Sequence, residues 1–279
     1  MLDLILDTLI DTLKLIPFLF LTYLAMEYLE HKTGEKTQSL VRKAGKFGPV
    51  IGGALGVVPQ CGFSAAASNL YTGRVITLGT LIAIYLSTSD EMLPILISEK
   101  APFRTIIFIL SAKAVIGMIA GFVIDLVTSS RREGGHHIHD ICEHEHCHCE
   151  EGSILRSALL HTAQITLFIL LITFVLNLIF FFVEEDILAN LILSRKILGP
   201  VIAGIVGLIP NCAGSVVITQ LYLEGVIGTG AMLAGLLTGT GVGLLILFRM
   251  NHNKKDNIKI LGLLYCIGVL VGIVAGVVI

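Results

Sequence analysis

The feature that most constrains this chain is a series of long apolar stretches separated by short polar segments. Most of them reach the roughly 20 residues that a helix needs to cross the hydrocarbon core of a bilayer. The chain is 54% hydrophobic and only 14% charged, which is far from a soluble composition. We therefore predict an all-α polytopic membrane protein. The stretches are residues 4–29, 47–72, 75–98, 103–127, 157–183, 198–223, 226–248 and 258–279.

Two of these stretches are interrupted by a proline, an amide and a cysteine. The first interruption is PQC at 59–61, and the second is PNC at 210–212. A proline frees backbone carbonyls before it and leaves unpaired N–H groups near it. Inside a membrane, such a break survives only where it is buried in protein or lines a cavity. We predict broken or re-entrant segments here and simple spans elsewhere.

The two interrupted stretches belong to an internal repeat. An offset of 151 residues aligns 48–86 with 199–237 without a gap, and it matches both prolines, both cysteines and a tyrosine. Further on, GMIAGFVI at 117–124 resembles GIVAGVVI at 272–279 after a shift of four residues, and its GxxxG spacing is typical of close helix packing. If the broken segments are re-entrant, each half has three spanning helices, and an odd number of crossings makes the repeat inverted.

This pattern predicts three parts of the chain and their sidedness. They are a first transmembrane repeat (1–127), a His/Cys-rich loop (128–156) and a second transmembrane repeat (157–279). One side of the membrane receives thirteen Lys and Arg residues and the other receives four. The positive-inside rule then places the loop in the cytoplasm and both termini outside, in a multi-pass protein of the cell (inner) membrane. The first stretch follows acidic residues, so we expect a true first helix there. A net charge of −2 argues against nucleic acid as a partner.

The polar sequence STSDEMLP, at 87–94, is the strongest candidate for a charged site. Ser87, Asp90 and Glu91 would share one face of a continuous helix. Carboxylates inside a membrane are costly unless they are paired or bind an ion, and such oxygen ligands suit Mn²⁺, Fe²⁺ or Mg²⁺. The alternative is that the helix ends near Asp90 and both acids cap it at the membrane surface. The corresponding LTGTGV of the second half, at 237–242, keeps hydroxyls but has no acid.

Inverted repeats with paired broken helices are typical of secondary transporters, whose substrate binds at the breaks. Cys61 and Cys212 would be either soft metal ligands or small packing residues. Lys113 would either pair with the acids, and so contribute to coupling, or extend to the membrane surface. The predicted metal site consists of Gln60, Cys61, Ser64, Ser87, Asp90, Glu91, Asn211, Cys212 and Ser215.

The loop has a composition typical of metal binding. Its His and Cys residues alternate densely and lack the spacing of a zinc finger, so a flexible chelator or metal sensor fits better than a fixed structural site. Zn²⁺ or a similar ion is the expected occupant. The loop ligands are His136, His137, His139, Cys142, His144, His146, Cys147, His148 and Cys149.

Together, PQCGFS, STSDEMLPIL, the His/Cys-rich loop and GLIPNCAGSVV resemble the family of ten-helix heavy-metal exporters. These are bacterial and archaeal proteins labelled manganese transporter or arsenic efflux protein. The resemblance covers nearly the whole chain. It implies transport of a metal or metalloid across the cell membrane.

The resulting prediction is a secondary-active transporter that exports a divalent heavy-metal cation, Mn²⁺ first, by alternating access. The chain lacks a P-loop, so a proton or Na⁺ gradient would supply the energy. One alternative is an arsenite or organoarsenical permease that uses Cys61 and Cys212, and another is a metal-gated channel or sensor. An anionic cargo, with Asp90 and Glu91 binding only a coupling ion, also stays open. We expect no enzyme activity and no permanent cofactor. The partners are the metal substrate, the bilayer and the coupling ion, and a homo-oligomer is left open.

Overall fold

The computed structural model describes residues 47–58, 61–89, 92–128, 154–182 and 197–278, together with separate helical positions between 9 and 24. All regular structure in these ranges is helical. The first half contains α1 (Gly48–Gly56), α2 (Cys61–Thr72), α3 (Leu78–Ser87), α4 (Met92–Ser98) and α5 (Phe103–Thr128). The second half contains α6 (Ile154–Phe182), α7 (Leu198–Gly207), α8 (Cys212–Leu223), α9 (Thr229–Thr238), α10 (Gly243–Met250) and α11 (Lys254–Val278).

Among the described residues, four stretches are long and apolar enough to cross a membrane. Leu78–Ser98 and Thr229–Met250 form the centre of the protein. Of the 18 most apolar consecutive residues in each, 75% are buried in the first stretch and 83% in the second. Phe103–Thr128 and Lys254–Val278 are only 28% buried, and they expose large apolar side chains such as Ile119 and Val274. Such apolar surface is stable in lipid and costly in water. The prediction of an all-α polytopic membrane protein is confirmed.

The prediction that 75–98 and 226–248 are uninterrupted spans is wrong. The helix α3 ends at Ser87, because Thr88 has an extended ψ of 127°, and α4 begins only at Met92. In the second half α9 ends at Thr238, and Gly241 has a φ of 54°, a conformation that favours glycine. The face predicted for Ser87, Asp90 and Glu91 requires a helix that continues past Ser87, where α3 ends; residues 90 and 91 lie outside the described part of the chain.

Corresponding helices of the two halves have corresponding neighbours. In the first half α3 packs against α1 and α5, and in the second half α9 packs against α7 and α11. The short helices after the breaks pack across the halves. Thus α2 of the first half lies on α10 of the second, and α8 of the second lies on α4 of the first. This exchange brings interrupted segments of both halves to the centre.

Glycines at equivalent positions allow these close approaches. The backbone of Gly79 lies against Gly121, and the backbone of Gly230 lies against Gly272. Added Cβ atoms there would collide with carbonyl oxygens, so only glycine fits. The contacts follow the 151-residue offset through the last helix of each half. The four-residue shift inferred from the sequence for 117–124 and 272–279 is therefore wrong.

The direction of the helices follows from their contacts. Because Gly48 lies at Thr80 and Gly56 lies at Ser87, α1 and α3 run in the same direction. A tight turn between α2 and α3 is closed by a 2.8 Å hydrogen bond from the Val75 N–H to the Leu70 carbonyl. The α7–α9 pair repeats the contact pattern of α1 and α3, since Gly207 lies against Gly235 and Thr238.

Buried or partly buried hydrogen bonds join the halves at two further places. The Ser68 hydroxyl donates to the Gly243 carbonyl at 2.7 Å and also meets the Tyr85 hydroxyl, which itself reaches Gly243 at 3.2 Å. Nearer the end of α2, the Tyr71 hydroxyl donates to the Asp256 carboxylate at 2.8 Å. These bonds connect α2 and α3 with α10 and α11, and satisfy polar groups that would be costly to bury alone.

Asp125 has a structural position at the start of α3. Its carboxylate accepts hydrogen bonds from the Gly79 N–H at 2.9 Å and from the Thr77 hydroxyl at 2.5 Å. A negative charge at a helix N-terminus is favourable because free N–H groups point towards it. The equivalent position of the second half is Gly276. Asp125 thus acts as a cap within the first half.

Candidate functional site

Interruptions of both halves lie close together at the centre of the molecule. The Ser89 hydroxyl, between α3 and α4, donates a 2.5 Å hydrogen bond to the Val57 carbonyl, between α1 and α2. In the second half, a Cβ atom built on Gly239 would lie 3.8 Å from the Gly207 carbonyl oxygen, at the end of α7. Breaks in buried helices leave carbonyl and N–H groups available for ligands.

A small cavity lies where these interruptions meet, and both halves form its wall. The volume of this cavity is about 10 Å³, which is room for about one water molecule or one small ion. Four of its residues come from the first half and five from the second. They are Thr88, Ser89, Met92, Lys113, Asn211, Ser215, Leu236, Gly239 and Gly241.

The hydroxyl groups on the first-half side of this cavity donate to the backbone. Thr88 donates to the Ile84 carbonyl at 2.7 Å, and Ser89 donates to Val57. A hydroxyl has one proton and two lone pairs, so a hydroxyl whose proton is committed to a carbonyl retains acceptor capacity alone. Such oxygens can bind a cation.

Lys113 supplies a positive charge to the same cavity. Its side chain is 1% exposed, and its ammonium group donates to the carbonyl of Leu236 in the last turn of α9. The C-terminal end of a helix attracts cations because its last carbonyls lack helical partners. The alternative prediction, that Lys113 extends to the membrane surface, is therefore wrong. Its predicted pairing with Asp90 or Glu91 involves residues outside the described ranges.

The N-terminus of α8 provides a second partial positive charge. Asn211, which is 5% exposed, stands just before this helix in an extended conformation and lines the cavity. Ser215, one turn into the same helix, lines it as well. Free N–H groups at a helix N-terminus favour negative ligand atoms. The cavity thus combines groups that suit a cation with groups that suit an oxygen-rich ligand.

The structure brings two of the predicted metal ligands into the cavity wall, Asn211 and Ser215, together with Lys113, the predicted coupling residue. Ser64 and Ser87 are fully buried but do not line it. Ser64 lies against the backbone of Gly243, and the Ser87 hydroxyl donates to the Ala83 carbonyl at 2.8 Å. Both therefore have packing roles in this arrangement, and their assignment as ligands stays a prediction.

The remaining predicted residues are described in part or not at all. Cys61 and Cys212 are the first residues of α2 and α8, so each follows directly on an interruption. Gln60, Asp90, Glu91 and the loop ligands at 136–149 lie outside the described residues. Within those that are described, no cluster of three or more His, Cys, Asp or Glu side chains could hold a metal.

Several cavity residues were missed by the sequence analysis. Thr88 and Ser89 could have been found, because they precede Asp90 in a polar sequence that has an equivalent, LTGTGV, in the second half. Gly239 and Gly241 belong to that equivalent, LTGTGV. Met92 and Leu236 carried no signal, since apolar side chains in apolar helices are common.

Comparison with known proteins gives one family. The model of the ArsP_2 family, whose description reads "Putative, 10TM heavy-metal exporter", matches residues 1–179 and again residues 153–279. The two matches together cover the whole chain. No curated protein and no solved structure matches it.

Proposed function

Because the chain belongs to the ArsP_2 family of 10TM heavy-metal exporters, we propose that it is a secondary transporter whose cargo binds in the central cavity. The cargo is a divalent heavy-metal cation, with Mn²⁺ as the first candidate. The observation that carries this proposal is the buried ammonium group of Lys113. The Leu236 carbonyl, which accepts a hydrogen bond from this ammonium group within membrane-spanning helices, supports a binding site for a cation here.

The oxygen ligands come from both halves of the chain. Thr88 and Ser89 contribute hydroxyl oxygens from one side, and Asn211 and Ser215 contribute an amide and a hydroxyl from the other. Asp90 directly follows Ser89 in the sequence, and Glu91 follows Asp90. Their carboxylates would neutralise a divalent cation and bind it through the hard oxygen ligands that Mn²⁺ prefers. Gln60 would complete this set.

Alternating access follows from an inverted repeat with two re-entrant hairpins. In this arrangement α1 enters the membrane beside the start of α3, and α2 returns to the same side. Two observations support it: α1 runs parallel to α3, and a tight turn connects α2 to α3. A third observation concerns the two ends of α11. Its start lies beside the end of α2, because Tyr71 bonds to Asp256. Its other end lies beside the start of α9, because Gly272 lies against Gly230. Helix α9 then runs opposite to α3, and rocking of the halves would expose the cavity to each side in turn.

A second candidate cargo is a metalloid species, such as arsenite or an organoarsenical. It is favoured by the combination of Lys113 with the N-terminus of α8, and by the positions of Cys61 and Cys212 at the first residues of α2 and α8. Thiols are good ligands for soft elements. In this case the acids would bind only a coupling proton or Na⁺.

Transport by purified protein in proteoliposomes tests both candidates. A panel of Mn²⁺, Fe²⁺, Co²⁺, Zn²⁺ and arsenite is measured with wild type, Asp90→Asn and the double variant Cys61→Ser/Cys212→Ser. Metal export predicts saturable divalent flux that Asp90→Asn removes and the cysteine variant keeps. Arsenic flux lost in the cysteine variant would support the second candidate. Absence of divalent flux, or an unaffected Asp90→Asn variant, would contradict the first.

A further inference from the structure

We propose that the ammonium group of Lys113 is the resident cation of the empty cargo site, and that the cargo binds by displacing it from the Leu236 carbonyl. This inference rests on the proposed function and specifies how its site is filled. Three observations carry it: the size of the cavity, the placement of the ammonium group and the asymmetry between the halves.

The small size of the cavity favours displacement. Lys113 lines a space of about 10 Å³, which holds about one water molecule or one small ion. A metal ion in this space would stand close to the ammonium group, because Lys113 is one of the residues that line it. Like charges at such separations repel strongly in a medium of low dielectric constant. Mutual repulsion therefore disfavours the presence of both cations in the cavity.

The position of the ammonium group shows that it replaces a helical hydrogen bond at the end of α9. The Leu236 carbonyl belongs to the last turn of α9, where the helix is interrupted at Gly239. This carbonyl would accept a hydrogen bond from residue 240 if the helix continued. Lys113, which belongs to α5 of the first half, donates to this carbonyl in place of residue 240. A metal ion that binds this carbonyl oxygen, together with the hydroxyls of Thr88 and Ser89, needs the lysine to leave.

The repeat shows that the lysine is not required for packing at this position. The equivalent residue of the second half is Leu264, which is fully buried with 0% exposure. An apolar side chain thus fills the same place in the pseudo-symmetric environment. A buried charge in only one half is typical of a functional residue within a membrane protein.

Displacement has a consequence for the transport cycle. In the empty transporter the ammonium group satisfies the carbonyl at the helix end, so the site can close without cargo. On release the lysine returns and helps to expel the metal. Lys113 therefore lowers cargo affinity and increases turnover, two effects that a purely structural residue would not combine.

The test is the KM and kcat of Mn²⁺ transport in proteoliposomes. Lys113→Met keeps the length of the stem and removes the charge, so we expect KM to fall at least tenfold and kcat to fall as well. Lys113→Arg, which keeps the charge, should stay within threefold of the wild-type KM. Leu264→Met is the matched control at the equivalent position, and it should change neither constant.

An unchanged or higher KM in Lys113→Met would overturn the inference. An increase would mean that the lysine supports the Mn²⁺ site instead of competing with the metal. If Lys113→Met does not yield monodisperse protein, Lys113→Gln is used, and misfolding of both would assign the lysine a structural role instead. If wild type transports no metal, the proposed function fails. Displacement is then tested by Mn²⁺-dependent thermal stabilisation, which it predicts to be larger in Lys113→Met.

Discussion

The glycine contacts between the central and outer helices give a prediction whose size follows from the structure. On α11, a Cβ atom at Gly272 would lie 2.5 Å from the Gly230 carbonyl oxygen and 2.6 Å from the Ala234 Cβ. Both atoms are fixed to the backbone of α9, so the helices would have to separate. Ten residues earlier on the same helix, a Cβ atom at Gly262 would meet nothing within 4 Å. The same substitution, Gly→Ala, therefore has opposite effects at the two positions.

Two opposing contributions determine how much each Gly→Ala substitution changes the free energy of unfolding. Overpacking of a tight contact costs about 1–3 kcal/mol. Replacing glycine by alanine within a helix stabilises it by up to about 1 kcal/mol. We expect Gly272→Ala to lower the free energy of unfolding by about 1–2 kcal/mol and Gly262→Ala to raise it slightly. At about 2–4 °C per kcal/mol, the melting temperatures should differ by about 5 °C or more.

The assay is size-exclusion chromatography of fluorescently tagged protein after heating, since the chain has no tryptophan for intrinsic fluorescence. The fraction that remains monodisperse at each temperature gives the apparent melting temperature. Gly121→Ala, at the equivalent position of the first half, should lose stability as Gly272→Ala does. If Gly272→Ala and Gly262→Ala melt within 1 °C of each other, the close packing of α9 and α11 is refuted.

Three further outcomes are expected. Tyr85→Phe removes the hydroxyl that meets Ser68 and Gly243, and thermal unfolding should show a loss of about 1–2 kcal/mol. Asp256→Asn keeps an acceptor for the Tyr71 hydroxyl, whereas Asp256→Ala removes it, so faster deuterium exchange near the end of α2 should appear in Asp256→Ala alone. Deletion of residues 136–149 should greatly reduce Zn²⁺ bound per chain in equilibrium dialysis and leave Mn²⁺ flux measurable, because the proposed cargo site uses none of the predicted loop ligands; complete loss of flux would contradict this assignment.

The sequence predicted the membrane class, the repeat and the first pair of breaks for clear physical reasons. Apolar length decides between a membrane helix and a soluble one. The prolines at 59 and 210 mark breaks because they remove helical hydrogen bonds. Their counterparts between α3 and α4 and between α9 and α10 contain no proline. Hydropathy therefore showed each of those pairs as one span, although Gly239 and Gly241 were visible signs of a weak helix.

The composition of the cavity could be predicted only in part. Asn211 and Ser215 were found because they follow a break directly. The exchange of α2 and α8 between the halves depends on packing between distant residues, which no local pattern encodes. This exchange, together with the approach of Lys113 to Leu236, decides which side chains meet. For Lys113 the sequence allowed both a buried pair with the acids and an extension to the surface. Its burial against Leu236 excludes the extension, and the pairing with Asp90 or Glu91 stays a prediction.

The most direct test of the account is the driven movement of Mn²⁺ into proteoliposomes that contain wild type or Asn211→Leu. An imposed pH or Na⁺ gradient is applied at equal metal concentrations on both sides. Wild type should show saturable accumulation of Mn²⁺ against the metal gradient. Asn211→Leu should lose at least tenfold, since this variant removes an amide ligand from the cavity and keeps a branched side chain with the same number of heavy atoms. Flux that does not saturate, that no gradient drives uphill, or that Asn211→Leu leaves intact would contradict a coupled exporter with its cargo site in this cavity.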